Sequence, residues 1–208
     1  AGQKSLREAV VAFVAVLLVF GLIIGAIMLY DKLDARWKIA RMKEKLKSPD
    51  PQERMEAAEK LGGMLVAAES VVPELLEALC DPEQEVRMQA ASALSRIGCE
   101  TGAAVPVLIE GLRSNDHAIR RLAVEAIDWA GKEAGAAALP LAHALLDRNW
   151  DGRWQAAASL SLIGPLEQEV VEHLIKALDD PDELAVKWVA CALGHAGSPV
   201  MQAVPALR

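Results

Sequence analysis

The sequence predicts an all-α protein: a single N-terminal transmembrane helix over residues 9–30, then an α-solenoid of about five helix pairs over residues 31–208. Three observations carry this. Residues 9–30 contain no charged side chain, columns of leucine, alanine and arginine recur with a 33-residue period after them, and aromatic residues are only 4% of a chain that is 53% hydrophobic. Scarce aromatics with abundant alanine and leucine suit close-packed helices, whereas a β core draws on valine, isoleucine, tyrosine and phenylalanine.

The first element follows from length and charge. The run from Ala9 to Tyr30 is 22 residues long; at ~1.5 Å per residue a helix of that length matches the ~30 Å hydrocarbon layer of a bilayer. A cleaved secretory signal has a shorter apolar core of ~7–15 residues and small residues at its cleavage site, whereas Leu29, Tyr30 and Asp31 end this run. A helix buried in a protein core would keep a polar stripe. Residues 1–8 form a short tail with Lys4 and Arg7; beyond the span come Lys32, Arg36, Lys38, Arg41, Lys43, Lys45 and Lys47. That bias predicts a single-pass protein of the cell membrane with its solenoid on the cytoplasmic side. It also sets Lys32–Lys47 beside anionic lipid headgroups, each cation near the surface contributing about 1 kcal/mol. Within the span, Gly21 and Gly25 make a G-x-x-x-G face on which another membrane helix could pack.

The remainder is organised by its period. Leu61, Leu94, Ile127, Leu160 and Leu193 follow one another at that interval, as do Leu75, Leu108, Leu141, Leu174 and Leu207, and Leu46, Leu79, Leu112, Leu145 and Leu178. Arg54, Arg87, Arg120 and Arg153 form a further column, each followed one helical turn later by Ala57, Ala90, Ala123 or Ala156. Each unit reads as a first helix, a turn marked by Asp81, Asp147 or Asp180, and a second helix with one apolar stripe, as in Ala90, Ala93, Leu94 and Ile97. Pro73, Pro106 and Pro205 stand near the starts of first helices. Gly62, Gly98, Gly131, Gly164 and Gly197 close the second helices as C-terminal caps. One period before Val72, Leu75 and Leu79 stand Ile39, Met42 and Leu46, so residues 32–47 are the first opening helix and the span runs into the solenoid with little linker. Pro205 and Leu207 begin a sixth unit that is incomplete at Arg208.

The stretch D-P-x-x-x-V-R-x-x-A-A-x-A-L at Asp81–Leu94 resembles HEAT repeats, in particular their phycobilisome-lyase-like short form, and the resemblance covers about residues 39–208. The period also suits ankyrin repeats, but no unit carries their T-P-L-H tetrapeptide, and the aromatic pattern of tetratricopeptide units is missing. The resemblance implies that each column arginine ties its repeat to the next through the turn aspartate, and that the arginine-bearing helices line a concave surface. It specifies architecture rather than activity.

Composition narrows the function. Residues 51–208 carry 13 Lys+Arg against 24 Asp+Glu, a balance that repels phosphate backbones and argues against nucleic acid as a partner. Cys80, Cys99 and Cys191 have no C-x-x-C spacing and read as small buried hydrophobes. His117, His143, His173 and His195 form no H-x-x-x-H pair, and no G-x-S-x-G, G-x-x-x-x-G-K or G-x-G-x-x-G occurs. No catalytic residue, metal or cofactor is therefore expected, and the chain is read as no enzyme. The tryptophans point elsewhere. Relative to the column arginine, Met88 and Trp154 lie one residue on, Leu122 and Trp188 two, and Trp129 and Leu162 nine, all off the Ala/Leu stripe. Such a ridge predicts a protein-binding surface. The leading expectation is a membrane-anchored scaffold or accessory subunit that binds the other subunits of a membrane protein complex. Two alternatives stay open: a bilin lyase-like chromophore-handling protein, implied by the resemblance, and an extracytoplasmic domain attached to an electron-transfer complex.

Overall fold

The structure, a computed structural model, describes the backbone of residues 2–64 and 68–197, and the side chains of these residues except 2–18, 31, 32, 68 and 69. Every regular element among them is helical. The chain divides into two compact units, Ala1–Arg41 and Met42–Arg208.

Helix α1 (Gly2–Lys45) takes in the whole apolar run, and also residues 2–8, which the sequence left as a tail. The large apolar side chains described from Val19 to Tyr30 are all exposed. Among the described residues no helix is long and apolar enough to cross a membrane, so the expected span over 9–30 finds no support there; the side chains of its first half lie outside the described residues.

The second unit is an all-helical solenoid. After the last turn of α1 come α2 (Pro51–Gly63), α3 (Ala68–Ala78), α4 (Gln84–Ile97), α5 (Thr101–Leu112) and α6 (His117–Ala130). A 3₁₀ segment (Gly131–Ala137) leads into α7 (Ala138–Leu145), followed by α8 (Arg153–Ile163), α9 (Gln168–Ala177) and α10 (Glu183–His195). The pairs α3/α4, α5/α6, α7/α8 and α9/α10 are helical hairpins, and α2, α4, α6, α8 and α10 pack one on the next. The expected sixth unit at Pro205 and Leu207 lies outside the described residues.

Local chemistry sets the boundaries. Asp50, Asp116 and Asp182 have extended backbone, and their carboxylates accept the N–H of Gln52, Ala118 and Leu184, capping α2, α6 and α10. Gly98, Gly131, Gly164 and Gly197 follow second helices with positive φ, which a residue without Cβ adopts at little cost. Gly62 corrects that pattern. It sits inside α2, buried, and a Cβ there would come within 2.7 Å of the Ala93 Cα of α4, so its role is close helix approach. Pro73 and Pro106 also differ from expectation, standing in the interiors of α3 and α5 because those helices begin at Ala68 and Thr101.

The core is built from the columns. Ala57, Ala90, Ala123 and Ala156 are fully buried, as are Leu61, Leu94, Leu160, Leu75, Leu108, Leu141 and Leu174. Small residues where second helices meet let backbones approach closely, and the leucines fill the space between first and second helices. The cysteines do not join this core: Cys80 is exposed, Cys99 and Cys191 half-buried. Gly62→Ala is expected to destabilise the fold by about 1–3 kcal/mol, the usual cost of overpacking, because the obstructing atom is backbone; chemical denaturation at neutral pH checks it.

Candidate functional site

Helices α6 and α8 present one solvent-facing stripe. At ~100° per residue, positions one, two, five and nine after the column arginine fall within an arc of about 100°. On α6 these are Arg121, Leu122, Glu125 and Trp129, and on α8 Trp154, Gln155, Ala158 and Leu162. Trp129 is 66% exposed and Leu162 51%; one period separates them, so they occupy equivalent places on consecutive second helices. Leu122, Trp154 and Trp188 are half-buried on the same stripe.

Two clefts run along the N-terminal halves of these helices. One, of about 360 Å³, is walled by His117, Arg121, Trp150, Asp151, Trp154 and Gln155. Its neighbour, of about 280 Å³, is walled by Met55, Glu85, Gln89, Asp116, Leu122 and Glu125. Both share Ala118 and Arg121, making one groove from α2 to α8. The α2 end is acidic and the α8 end aromatic.

Of the six residues singled out from the sequence, Met88 is corrected. It borders the second cleft but is fully buried. A Cβ on Gly111 would collide with its terminal methyl, so the side chain turns inward to fill the space that glycine leaves in α5. The groove also holds a residue that periodicity did not mark. Trp150 is 1% exposed, stacked against Gly152 at the start of α8 and 5.5 Å from the Arg120 guanidinium. Its only sequence signal is a tryptophan placed in a turn. On α1, no described residue beyond the local helical turns comes within 4 Å of where a Cβ on Gly21 or Gly25 would stand.

The groove's helices are held in register by a ladder of ion pairs. Arg54 meets Asp81 at 2.7 Å, Arg120 meets Asp147 at 3.2 Å and Arg153 meets Asp180 at 2.8 Å, each pair spanning 27 residues. Arg54 and Arg153 engage both carboxylate oxygens through Nε and Nη2, the fork geometry that makes such pairs directional. Arg120 makes one such bond; its Nε has no hydrogen-bond partner, and the Trp150 ring lies over the guanidinium instead. The arginine that the resemblance marked as a tie between repeats therefore meets the turn aspartate at three of four positions, and Arg87 meets Glu110 of α5 instead.

Four carboxyl groups are displaced from their ordinary range; Glu56 on α2 is held low by its hydrogen bond from Lys60. The Arg54 hydrogen bond holds Asp81 low, against the pull of burial. Burial pushes Asp180 up, but the Asp182 amide and Arg153 outweigh it and the net direction is down. Asp128, between α6 and α8, goes the other way: burial holds it high, although the Ser159 hydroxyl donates to it. Among the described residues, no group of three or more His, Cys, Asp and Glu could hold a metal ion.

This geometry defines a class, the all-helical solenoid of repeated helices. More particularly, HEAT repeats are found over residues 39–128, and a PBS lyase HEAT-like repeat over residues 152–180. No curated protein matches the chain. Among solved structures, an engineered protein is 23% identical, covering 81% of this chain and 84% of its own, with a TM-score of 0.63. A designed armadillo repeat protein is 23% identical over 80% of this chain and 86% of its own, with a TM-score of 0.60. A chain from the structure of the complex of CpcE and CpcF of phycocyanin lyase from Nostoc sp. PCC7120 is 24% identical over 78% of this chain and 66% of its own, with a TM-score of 0.56. At these identities the likeness is one of fold.

The displaced carboxyls set opposite pH dependences. Asp81 and Asp180, low in the folded state, add stability that is present above the unfolded carboxylate pKa of ~3.9 and is lost as pH falls through their folded values. Asp128, high in the folded state, favours folding while protonated, and that contribution is lost as pH rises through its folded pKa. Melting curves from pH 7 to pH 3 are expected to show Asp128→Asn more stable than the parent at pH 7, with the gain shrinking in acid. Asp81→Asn is expected to lower the melting temperature at pH 7, with the loss shrinking in acid.

Proposed function

We propose that this chain is a non-catalytic scaffold that docks a partner protein along the second-helix groove. The observation that carries this reading is that Trp129 and Leu162 are both exposed at equivalent positions on α6 and α8, on the helical stripe that also carries Trp154 of the cleft wall. Exposed large apolar side chains that recur in register mark interaction surfaces, and tryptophan is prominent among residues that anchor them. Repeat solenoids use such extended faces for binding.

The proposal places the scaffold at a membrane, held by the apolar run of α1. The support is the uncharged sequence Ala9–Tyr30 and the exposure of its described large side chains, together with the basic residues that follow it and favour a cytoplasmic solenoid next to anionic headgroups. Gly21 and Gly25 then meet another membrane helix of the partner complex. A second reading, a bilin lyase-like role, is favoured by the match over residues 152–180 and by the likeness in fold to the phycocyanin lyase chain. Chromophore transfer or absorbance on mixing with free bilin separates it from the scaffold.

Partners recovered after gentle detergent extraction of the full chain test the proposal. Trp129→Ala is expected to weaken their binding by about 2 kcal/mol or more, while folding stability changes within about 0.5 kcal/mol, as at other exposed positions. A large fall in melting temperature with unchanged binding sinks the groove. Replacing Gly21 and Gly25 together with Leu is expected to leave membrane insertion intact and reduce recovery of the partner; unchanged recovery removes that helix face from the proposal.

A further inference from the structure

The ion-pair ladder has one incomplete rung. Asp81, Ser114, Asp147 and Asp180 recur at the repeat period and hold the same point of successive turns. Each accepts the backbone N–H two residues on, from Glu83 at 3.0 Å, Asp116 at 3.2 Å, Asn149 at 3.0 Å and Asp182 at 2.8 Å. Three of them also take the column arginine of the preceding second helix. Ser114 has no carboxylate to offer, and Arg87 pairs with Glu110 of α5 instead. Yet Arg87 keeps its counterparts' pose: its Nη1 donates to the carbonyls of Asp81 and Pro82 at 2.8 and 2.9 Å, as Arg54 Nη1 does to Ser48 and Pro49 at 2.9 and 3.2 Å. Cation and turn are in place, and the anion comes from Glu110 of α5 instead of from the turn. Ser48 belongs to the same column, but the position that would hold its arginine is Gly21, so no cation awaits an anion there.

The geometry points to Ser114 as a phosphorylation site whose phosphate takes the Arg87 guanidinium from Glu110 and completes the ladder between α3/α4 and α5/α6. The turn is reachable, with Arg113, Asn115 and Asp116 exposed and Ser114 half-buried. In the transfer, the Ser114 hydroxyl oxygen attacks the terminal phosphorus of a nucleoside triphosphate held by a protein kinase. The new O–P bond forms as the bond to the nucleoside diphosphate breaks, and the hydroxyl proton passes to a base of the kinase. The product carries a charge of about −1.5 to −2 and three strong acceptor oxygens, which suit the planar arginine fork as well as a carboxylate does. Arg113 stands next to it in sequence as a second cation.

The test installs phosphoserine at position 114 of the full chain by genetic encoding and compares melting temperatures with the unmodified chain, in the Arg87 and Arg87→Gln backgrounds. Tandem mass spectrometry then reads the turn peptide of the chain isolated from the cells that make it. Phosphoserine is expected to raise the melting temperature by about 2–4 °C, the shift typical of one added interaction in a chain of this size, in the Arg87 background alone. Ser114→Asp is expected to shift it in the same direction, and Ser114→Ala to lower it slightly through loss of the hydrogen bond from the Asp116 N–H. Phosphate on Ser114 in the isolated chain completes the case. The proposal is overturned by no rise with phosphoserine, by an equal rise with Arg87→Gln, or by a turn peptide found only unmodified.

Discussion

The close approach of successive second helices is the constraint on which the rest depends. Ala57, Ala90, Ala123 and Ala156 are fully buried where α2, α4, α6 and α8 meet, and Gly62 goes further, leaving no room for a methyl against the α4 backbone. A side chain one or two carbons larger in this column would open the spacing between repeats. The arginines one helical turn before Ala57, Ala123 and Ala156 could then no longer reach the aspartates of the following turns. Helix spacing and the ion-pair ladder are consequences of the same small residues, and so is the alignment that makes one groove from neighbouring stripes.

The ladder adds direction to that packing. Apolar contact alone tolerates sliding of one helix along another, but a guanidinium fork on a carboxylate does not. The same aspartates also accept the N–H two residues on, so each links the preceding second helix to its own turn. Where the carboxylate is replaced, at Ser114, the turn hydrogen bond survives and the inter-repeat tie passes to Glu110. Where the tie is only partial, at Arg120, Trp150 covers the cation.

The architecture is legible in the sequence because it repeats. Columns of leucine, alanine and arginine identify the helices and the turns, and the resemblance they carry pairs arginine with aspartate. The departures have local causes. Met88 belongs by register to the exposed stripe, but Gly111, where the column otherwise has Ala78, Ala144 and Ala177, opens a space that draws it inward. Trp150 lies in a turn, where no helical periodicity could mark it. Cys80, a buried hydrophobe by composition, stands at the end of a first helix that is open to water. On the stripe itself, periodicity places Trp129 and Leu162 on the outward face, where the structure has them. It does not grade how far Leu122, Trp154 and Trp188 sink between their neighbours, because that depends on side chains of adjacent helices.

The short reach of the ladder bears on how the chain acquires its shape. No rung joins residues more than 27 apart, so each tie closes a loop of less than one period. Ordering therefore propagates from neighbour to neighbour with little loop-closure entropy at each step. On the ribosome, a helix pair can lock onto its predecessor as soon as one further unit has emerged. Units of this kind can also be added or lost by in-frame duplication without disturbing distant pairings, since no pairing is distant.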